Sequence, residues 1–358
     1  MSLFKKVISL AIISTMALSF VGCGGSTSES KSASSSSASS EGAESSSAQI
    51  SEEPTVKLTL NHDGSTDHPY NYGSEKLAEL ASQYSNGSIQ IEVYPASQIA
   101  SGTKAVEFVQ MGTLDIALCA STSMVNFVSE FGVIDMPFLF KDKDEVFKIL
   151  DGEIGNEISA KAEAAGFKVL GWADNGFKCV SNSVRPIRCL EDYKGLKIRV
   201  PETDTFIKMY ESLGAVPTAM AVGEVYTAIQ TGVVVGQDNT VGNFVSNKYS
   251  EVQDYLTISN HIYTAEPFVM SVDKFNSLTS NQQQALMRAT KEACAYEREV
   301  SLEKDKENLK AVEDAGVEIA YIDEDELPKI KESVQTVYDL NADKYGEMIS
   351  RIQEELSK

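Results

Sequence analysis

Apolar residues occur along this chain in two spacings, one typical of strands and one typical of helices. Ile89, Ile91 and Val93 alternate with polar residues before Pro95, which predicts a strand. Helical spacing covers 74–84 and 104–111. The pattern continues with strands predicted at 114–118, 168–170, 197–200, 216–220 and 233–237, and helices at 203–213 and 223–231. Alternating strands and helices predict an α/β fold.

The segment 280–315 contains no proline or glycine and predicts an unusually long helix. Thr279 and Ser280 are suitable N-terminal caps, and Gly316 ends the segment. A continuous helix over this range is about 54 Å long, which exceeds the width of a single lobe. Two helices with a kink between them are the alternative.

Two segments of the chain resemble each other. V-E-F-V-Q-M-G-T-L-D-I-A-L starts at Val106, and Y-T-A-I-Q-T-G-V-V-V-G-Q-D starts at Tyr226. Each predicts a helix, a Gln-x-Gly turn and a strand, which suits two related lobes facing each other across a cleft, although this turn pattern is common enough to arise by chance. The alignment places Ser121 and Thr122 at the mouth of the cleft, opposite the strand that ends at Asn239.

The N-terminal region predicts export and lipid anchoring. Lys5 and Lys6 precede an apolar run over 7–21 that ends at Gly22-Cys23, so 1–22 is interpreted as a lipoprotein signal peptide with lipidation at Cys23. An ordinary secretory signal with an incidental cysteine is the alternative. Serine makes up 13 of the 25 residues at 26–50, and 23–54 is predicted to be a flexible tether. The protein is therefore expected on the extracytoplasmic face of a membrane.

The formal net charge of −21 argues against nucleic-acid binding, because an acidic surface repels phosphate polymers. It does not argue against a small anionic ligand, since charges farther away than about 8 Å are largely screened at physiological salt.

The sequence lacks the patterns that catalysis or metal binding would need. It has three histidines and no HExxH, GxSxG, CxxC or phosphate-binding glycine loop. We therefore predict no enzyme activity, no metal and no cofactor. Cys179 and Cys189 flank a predicted chain reversal and could form a disulfide, and free buried thiols are the alternative.

Arg199 is a candidate for ligand binding, and a solvated surface charge is the alternative. It lies in the short strand K-I-R-V, which Pro201 ends, so its side chain is placed near the carboxyl end of a strand. Open α/β sheets bind ligands at that edge. A guanidinium there is suited to hold a carboxylate through two parallel hydrogen bonds.

The residues around Arg199 belong to an ordered set of motifs. This set resembles the solute-binding subunits of TRAP (tripartite ATP-independent periplasmic) transporters, of the dicarboxylate-binding DctP-like family, over roughly residues 55 to 320. The motifs are P-F-L-F (137–140), G-W (171–172), G-F-K (176–178), K-G-L-K-I-R-V (194–200), L-G-A (213–215), E-V-Y (224–226) and G-Q-D-N (236–239).

The resemblance implies a two-lobe fold like that of periplasmic binding proteins, with a ligand cleft between the lobes and a long bracing helix. Lobe I is expected to comprise 55–175 and about 265–303, and lobe II 176–264 and about 304–358. The chain is expected to cross between lobes near Asp174 and again at 263–268. The implied function is capture of an organic acid, either a C4-dicarboxylate or a sugar acid, for an ion-coupled membrane permease. A receptor that serves a membrane sensor is the alternative.

The resemblance also implies roles for individual residues. Arg199 matches the family arginine that binds the ligand carboxylate, and Asn239 matches a polar residue that helps to hold it. Asn61 resembles a ligand contact of the first lobe, and an asparagine that only starts a loop is the alternative. Lys178 stands where the family commonly has a second arginine. Val222 stands where some members have an aromatic residue, which predicts a roomier or less polar pocket.

Overall fold

Two mixed β-sheets organise residues 53–358, the part of the chain that this computed structural model describes. The predicted signal peptide, Cys23 and nearly all of the predicted tether lie outside the described residues. The strands are β1 (Val56–His62), β2 (Ile89–Tyr94), β3 (Ile116–Leu118), β4 (Phe167–Phe177), β5 (Cys179–Asn182), β6 (Lys197–Val200), β7 (Val216–Ala219), β8 (Gly236–Asn239), β9 (Tyr255–Ile258), β10 (Tyr263–Ser271) and β11 (Glu318–Tyr321).

Helices connect most of these strands, as the alternating sequence pattern predicts. They are α1 (Pro69–Tyr84), α2 (Thr103–Gln110), α3 (Ser121–Met124), α4 (Lys143–Leu150), α5 (Glu153–Ala164), α6 (Asp204–Ser212), α7 (Val225–Gln230), α8 (Val241–Ser246), α9 (Val272–Ser277), α10 (Ser280–Asp314), α11 (Leu327–Ser333) and α12 (Gln335–Leu356). Among the described residues, no helix is both long and apolar enough to span a bilayer.

The two sheets have related topologies. The first has the order β2-β1-β3-β10-β4, with β1, β2 and β3 parallel and β10 antiparallel to its neighbours. The second has the order β11-β9-β5-β8-β6-β7, with β6, β7 and β8 parallel and β5 antiparallel to β8 and β9. The predicted α/β fold with two lobes is confirmed. The expected lobe boundaries remain a prediction.

The chain crosses between the two sheets near the positions expected from the sequence. The first crossing comes a few residues later than expected and the second a few residues earlier. Asp174 pairs with Ala265 inside the first sheet, and β4 stays paired with β10 as far as Phe177 and Tyr263. The first crossing is therefore at Lys178, and the second is at 259–262, between β9 and β10.

Helix α10 is continuous over 35 residues, so the alternative of two kinked helices is wrong. At its start, Gln282 N donates to the Thr279 hydroxyl and Thr279 N donates to the Gln282 side chain, which forms a capping box. Near its middle α10 packs against β4, where a Cβ at Gly171 would lie 2.9 Å from Cys294 Sγ. Val312, near its C-terminal end, packs in the core beside the second sheet. At 1.5 Å per residue the helix is about 52 Å long and contacts both sheets.

The possible disulfide between Cys179 and Cys189 is absent, since both residues are free thiols. After the turn at Asn182, the chain does not pair back along β5. Ile187 N donates to Thr257 Oγ1 on β9, and Asp323 N donates to the carbonyl oxygen of Arg188 beyond β11. Cys189 is thereby carried away from the start of β5, where Cys179 lies.

Candidate functional site

The carboxyl ends of parallel strands from both sheets surround a polar cavity of about 50 Å³. This is the position at which open α/β sheets bind ligands. The cavity is lined by Asp63, Tyr70, Gly102, Thr103, Ala120, Thr122, Ser123, Asn175, Lys178, Arg199, Pro201, Glu202, Met220, Ala221, Val222, Asn239, Asn243 and Glu266.

Arg199 lies in the wall of this cavity, near the carboxyl end of β6, and is 4% exposed. Its Nε and Nη2 donate to the carbonyl oxygen of Met220 at 2.9 and 2.7 Å, and Nη1 donates to the carbonyl oxygen of Asp238 at 3.3 Å. A guanidinium has five N–H donors, so one remains on each terminal nitrogen. Burial lowers the pKa of Arg199, yet an arginine side chain stays charged. The structure thus holds a rigid cation with two donors left for a ligand.

Asn239 and Lys178 lie next to Arg199 because their strands are neighbours in the second sheet. Asn239 ends β8, which lies between β5 and β6, and it pairs with Cys179, the residue after Lys178. Lys178 Nζ lies 3.5 Å from Asn239 Oδ1. Burial lowers the pKa of the Lys178 ammonium, while the carboxyl of Asp238 raises it. These three side chains together offer two cations and an amide to an anionic group.

The wall contributed by the first sheet carries acidic and hydroxyl groups. Thr122 lines this wall together with Ala120 and Ser123, and all three follow closely after β3. Asp63, just after β1, accepts from Ser97 Oγ at 2.6 Å and from the backbone N–H of Gly102 at 3.3 Å, and burial raises its pKa.

Glu266 lies on β10 in the same wall and accepts from Asn175 Nδ2 at 2.8 Å. Burial, helped by the nearby charge of Asp63, raises the pKa of Glu266 to about 8. Asn243 Nδ2 donates to Asn175 Oδ1 at 3.2 Å, so the amide that holds Glu266 is itself held.

Two of the predicted site residues, Asn61 and Ser121, do not line the cavity. Asn61 Nδ2 donates to the carbonyl oxygen of Ala100, and Asn61 Oδ1 accepts from the backbone N–H of Ile99, so this side chain secures a loop. Ser121 Oγ donates to Asp135 Oδ1 at 3.1 Å and accepts from the backbone N–H of Ala265. Both side chains are used internally, whereas the predicted Arg199, Asn239, Lys178, Thr122 and Val222 do line the cavity.

Several cavity residues are absent from the sequence-based site. Glu266 carries a readable signal, because it is a lone charge in the strand Y-T-A-E-P-F-V-M-S, in which all residues but the last are buried. Asp63 follows the end of β1, so its position at a strand end also suggests a site residue. Tyr70 and Asn243 lie on helices α1 and α8, and we find no sequence signal that separates them from ordinary core residues.

The cavity is closed by hydrogen bonds between loops that follow strands of the two sheets. Thr103 Oγ1 donates to Glu202 Oε2 at 3.2 Å, and the backbone N–H of Gly223 donates to Ser101 Oγ at 3.3 Å. A further bond joins the hydroxyls of Ser246 and Ser65 at 3.1 Å. These bonds join the two sides of the cavity at its rim, while Arg199, Lys178 and Glu266 are buried, where ionic hydrogen bonds are stronger than in water.

Metal-ligand clusters and thiols are two further kinds of chemistry that a site can carry. Within residues 53–358, no group of three or more His, Cys, Asp or Glu side chains is placed to hold a metal ion. Cys119, Cys179 and Cys294 are buried thiols whose pKa values are raised by burial, so they are poor nucleophiles.

Comparisons with known proteins agree with this geometry. The family model of DctP, described as bacterial extracellular solute-binding protein, family 7, matches residues 60–344. The C4-dicarboxylate-binding periplasmic protein DctP of Rhodobacter capsulatus is 33% identical over 299 residues, which cover 82% of this chain and 88% of that protein.

Solved structures of solute-binding proteins resemble this chain over most of its length. The sugar acid binding protein DctPAm of Advenella mimigardefordensis, in complex with galactonate, has a TM-score of 0.81 and 27% identity, covering 85% of this chain and 97% of that one. A TRAP periplasmic solute-binding protein of Sulfurospirillum deleyianum with bound succinate has a TM-score of 0.80 and 28% identity, covering 84% and 99%.

The matched region includes both sheets, apart from residues 56–59 of β1, and every residue that lines the cavity. The chain therefore belongs to family 7 of the bacterial extracellular solute-binding proteins, the DctP family, and is a solute-binding protein of the TRAP type rather than an enzyme.

Proposed function

We propose that this protein captures an organic acid, a C4-dicarboxylate or a sugar acid, and delivers it to an ion-coupled TRAP permease. The observation that carries the proposal is the buried Arg199, which keeps one N–H donor on each terminal nitrogen beside Lys178 and Asn239. A carboxylate presents two oxygens at the spacing of these donors. Relatives with bound galactonate and succinate support the same class of ligand.

A thermal-shift screen of small organic acids, neutral sugars and amines tests the ligand class. A ligand present at 100 times its dissociation constant adds about 2.7 kcal/mol to the free energy of unfolding, because it binds only the folded state. We expect stabilisation by organic acids. Stabilisation by neutral sugars or amines alone would overturn the proposal.

We further propose that the mature protein is exported and anchored to the extracytoplasmic face of a membrane by lipid on Cys23. Support comes from the sequence, where Lys5, Lys6 and an apolar run precede Gly22-Cys23. The serine-rich 23–54 would then act as a tether between the anchor and the binding domain. In cell fractionation, we expect the wild type in the membrane fraction and Cys23→Ser released or unprocessed. Equal membrane retention of both forms, with the signal peptide of Cys23→Ser removed, would contradict anchoring at Cys23.

Delivery to a permease is tested by transport. Liposomes that contain the TRAP permease should accumulate the acid only when this protein is added and an ion gradient is present. Unchanged accumulation without the protein would favour the alternative, a receptor that serves a sensor.

A further inference from the structure

Glu266 is a buried carboxyl group in the cavity, and binding of a ligand carboxylate by Arg199, Lys178 and Asn239 does not require it. It is 2% exposed and lies on β10 between Ala265 and Pro267, facing the ligand cavity. Burying a carboxyl group without partners costs free energy, so a position of this kind needs a compensating interaction. The protein supplies only part of that compensation.

One oxygen of Glu266 is held in place by two amides in series. Asn243 Nδ2 donates to Asn175 Oδ1 at 3.2 Å, and Asn175 Nδ2 donates to Glu266 Oε2 at 2.8 Å. Among the described side chains, Asn175 is the one that forms a hydrogen bond with this carboxyl; the Tyr70 hydroxyl lies close enough to lower the pKa of Glu266 but forms no hydrogen bond with Oε1. The carboxyl is thus oriented by the protein while one of its oxygens remains for a ligand.

The charges around the cavity are arranged unevenly. Arg199 and Asn239 belong to the second sheet and Lys178 to the crossing between sheets, whereas Asp63 and Glu266 belong to the first sheet and its loop. A ligand whose carboxylate binds Arg199 therefore also faces the carboxyl groups of Asp63 and Glu266, which line the wall from the first sheet. The nature of the ligand's other end matters because like charges repel more strongly among buried groups than in water.

A second carboxylate at this end would be repelled by Asp63 and Glu266 in their ionised forms, and it could hydrogen-bond to either of them only if that group kept its proton. An alcohol hydroxyl has no such requirement, because it donates to a carboxylate and can also accept from a protonated carboxyl. We propose that Glu266 is a specificity-determining residue that binds an alcohol hydroxyl of the ligand, so that the protein selects hydroxylated monocarboxylates over C4-dicarboxylates. This inference rests on the proposed capture of an organic acid by Arg199.

The test compares galactonate and succinate as probes by calorimetric titration. The wild type should bind galactonate at least tenfold more tightly than succinate. Glu266→Met, which keeps the side-chain length but removes the hydrogen bond, should lower the affinity for galactonate at least tenfold and that for succinate less than threefold. Glu266→Gln retains a donor and an acceptor and should recover most of the discrimination.

Glu202→Met is the matched control, because Glu202 also lines the cavity but its carboxylate bonds Thr103 across the cleft. Loss of that contact across the cleft should lower the affinities for galactonate and for succinate by a similar factor. Equal or tighter binding of succinate by the wild type would overturn the inference, as would equal losses for both probes in Glu266→Met.

The wild type alone gives a second test that does not depend on a variant folding. Hexanoate has the chain length of galactonate without its hydroxyls and should bind at least tenfold more weakly than galactonate. Equal affinities would overturn the inference. If succinate or hexanoate binds while galactonate is not preferred, Glu266 has been misassigned but organic-acid capture stands. If no organic acid binds, the proposed function itself fails.

Discussion

The backbone N–H of Lys178 donates to the carbonyl oxygen of Ile262 at 2.7 Å, which joins the two segments that pass between the sheets. The side chain of the same residue lines the ligand cavity. Lys178 therefore belongs both to the cavity wall and to a crossing between the sheets. Such crossings are where hinge motions of two-lobe proteins are absorbed.

Arg199→Ala should lower the affinity for an organic acid by on the order of 2 to 5 kcal/mol, because a buried ligand carboxylate loses its charged partner. Arg199→Lys should recover only part of this loss, since an ammonium lacks the planar fork. Calorimetric titration of all three proteins measures the effect. Affinity close to wild type in Arg199→Ala would remove this residue from the site.

The same substitution should also lower stability, contrary to what a strand-end cation seen only in the sequence would suggest. Arg199 supplies two hydrogen bonds to Met220 and one to Asp238. Leaving the buried carbonyl of Asp238 and the partly buried carbonyl of Met220 unpaired costs about 1 to 3 kcal/mol. Urea denaturation without ligand measures this, and an unchanged midpoint would show that the carbonyls find other donors.

Lys143→Met should destabilise the protein strongly. Lys143 Nζ lies 2.6 Å from Asp174 Oδ2 and 2.6 Å from Asp305 Oδ2, and Asp174 is fully buried. Removing one partner of a buried ion pair costs about 3 to 5 kcal/mol. Lys148→Met is the matched control, since Lys148 forms an exposed pair with Glu355 worth less than about 1 kcal/mol. Similar losses in both variants would contradict the assignment.

Asn61→Ala should reduce stability far more than ligand affinity. The side chain makes two hydrogen bonds to the backbone of Ile99 and Ala100, and losing them should cost about 1 to 3 kcal/mol. Chemical denaturation and calorimetric titration separate the two effects. A drop in affinity as large as that of Arg199→Ala, with stability unchanged, would restore Asn61 as a ligand contact.

Asp135→Asn should flatten the pH dependence of stability. Burial raises the pKa of Asp135 from 3.8 to about 8, so between these values the folded state holds a proton that the unfolded state has lost. The wild type should therefore lose stability relative to Asp135→Asn as the pH rises from about 4 to about 8, by at most about 1.4 kcal/mol per pH unit. Urea titrations at pH 5, 6, 7 and 8 measure the difference. Parallel curves would show that the pKa of Asp135 is not raised.

The sequence predicts the fold from its strands and helices, and it predicts the cavity residues of the second sheet from the positions at which those strands end. Arg199 and Asn239 are near the carboxyl ends of strands, and the topology brings those ends together. One strand is misplaced, since V-V-V at 233–235 predicts β8 too early. Val233 is 55% exposed and β8 begins at Gly236.

The other half of the site depends on which way side chains turn. Ser121 and Thr122 are adjacent, yet only Thr122 lines the cavity, because Ser121 at the start of α3 turns to Asp135. Glu266 and Tyr70 reach the cavity from elements far apart in sequence, and such convergence exists only once the chain has folded.

Helix α10 limits how the protein can open. A continuous α-helix resists stretching. This one is attached to β4 by the hydrogen bond from the backbone N–H of Asp174 to Glu297 Oε2, and Val312 packs it into the core beside the second sheet. A hinge motion between the lobes would therefore change their relative angle and would not separate them along the helix axis. A membrane partner that binds both lobes would distinguish loaded from empty protein by an angle between two surfaces whose separation stays nearly constant.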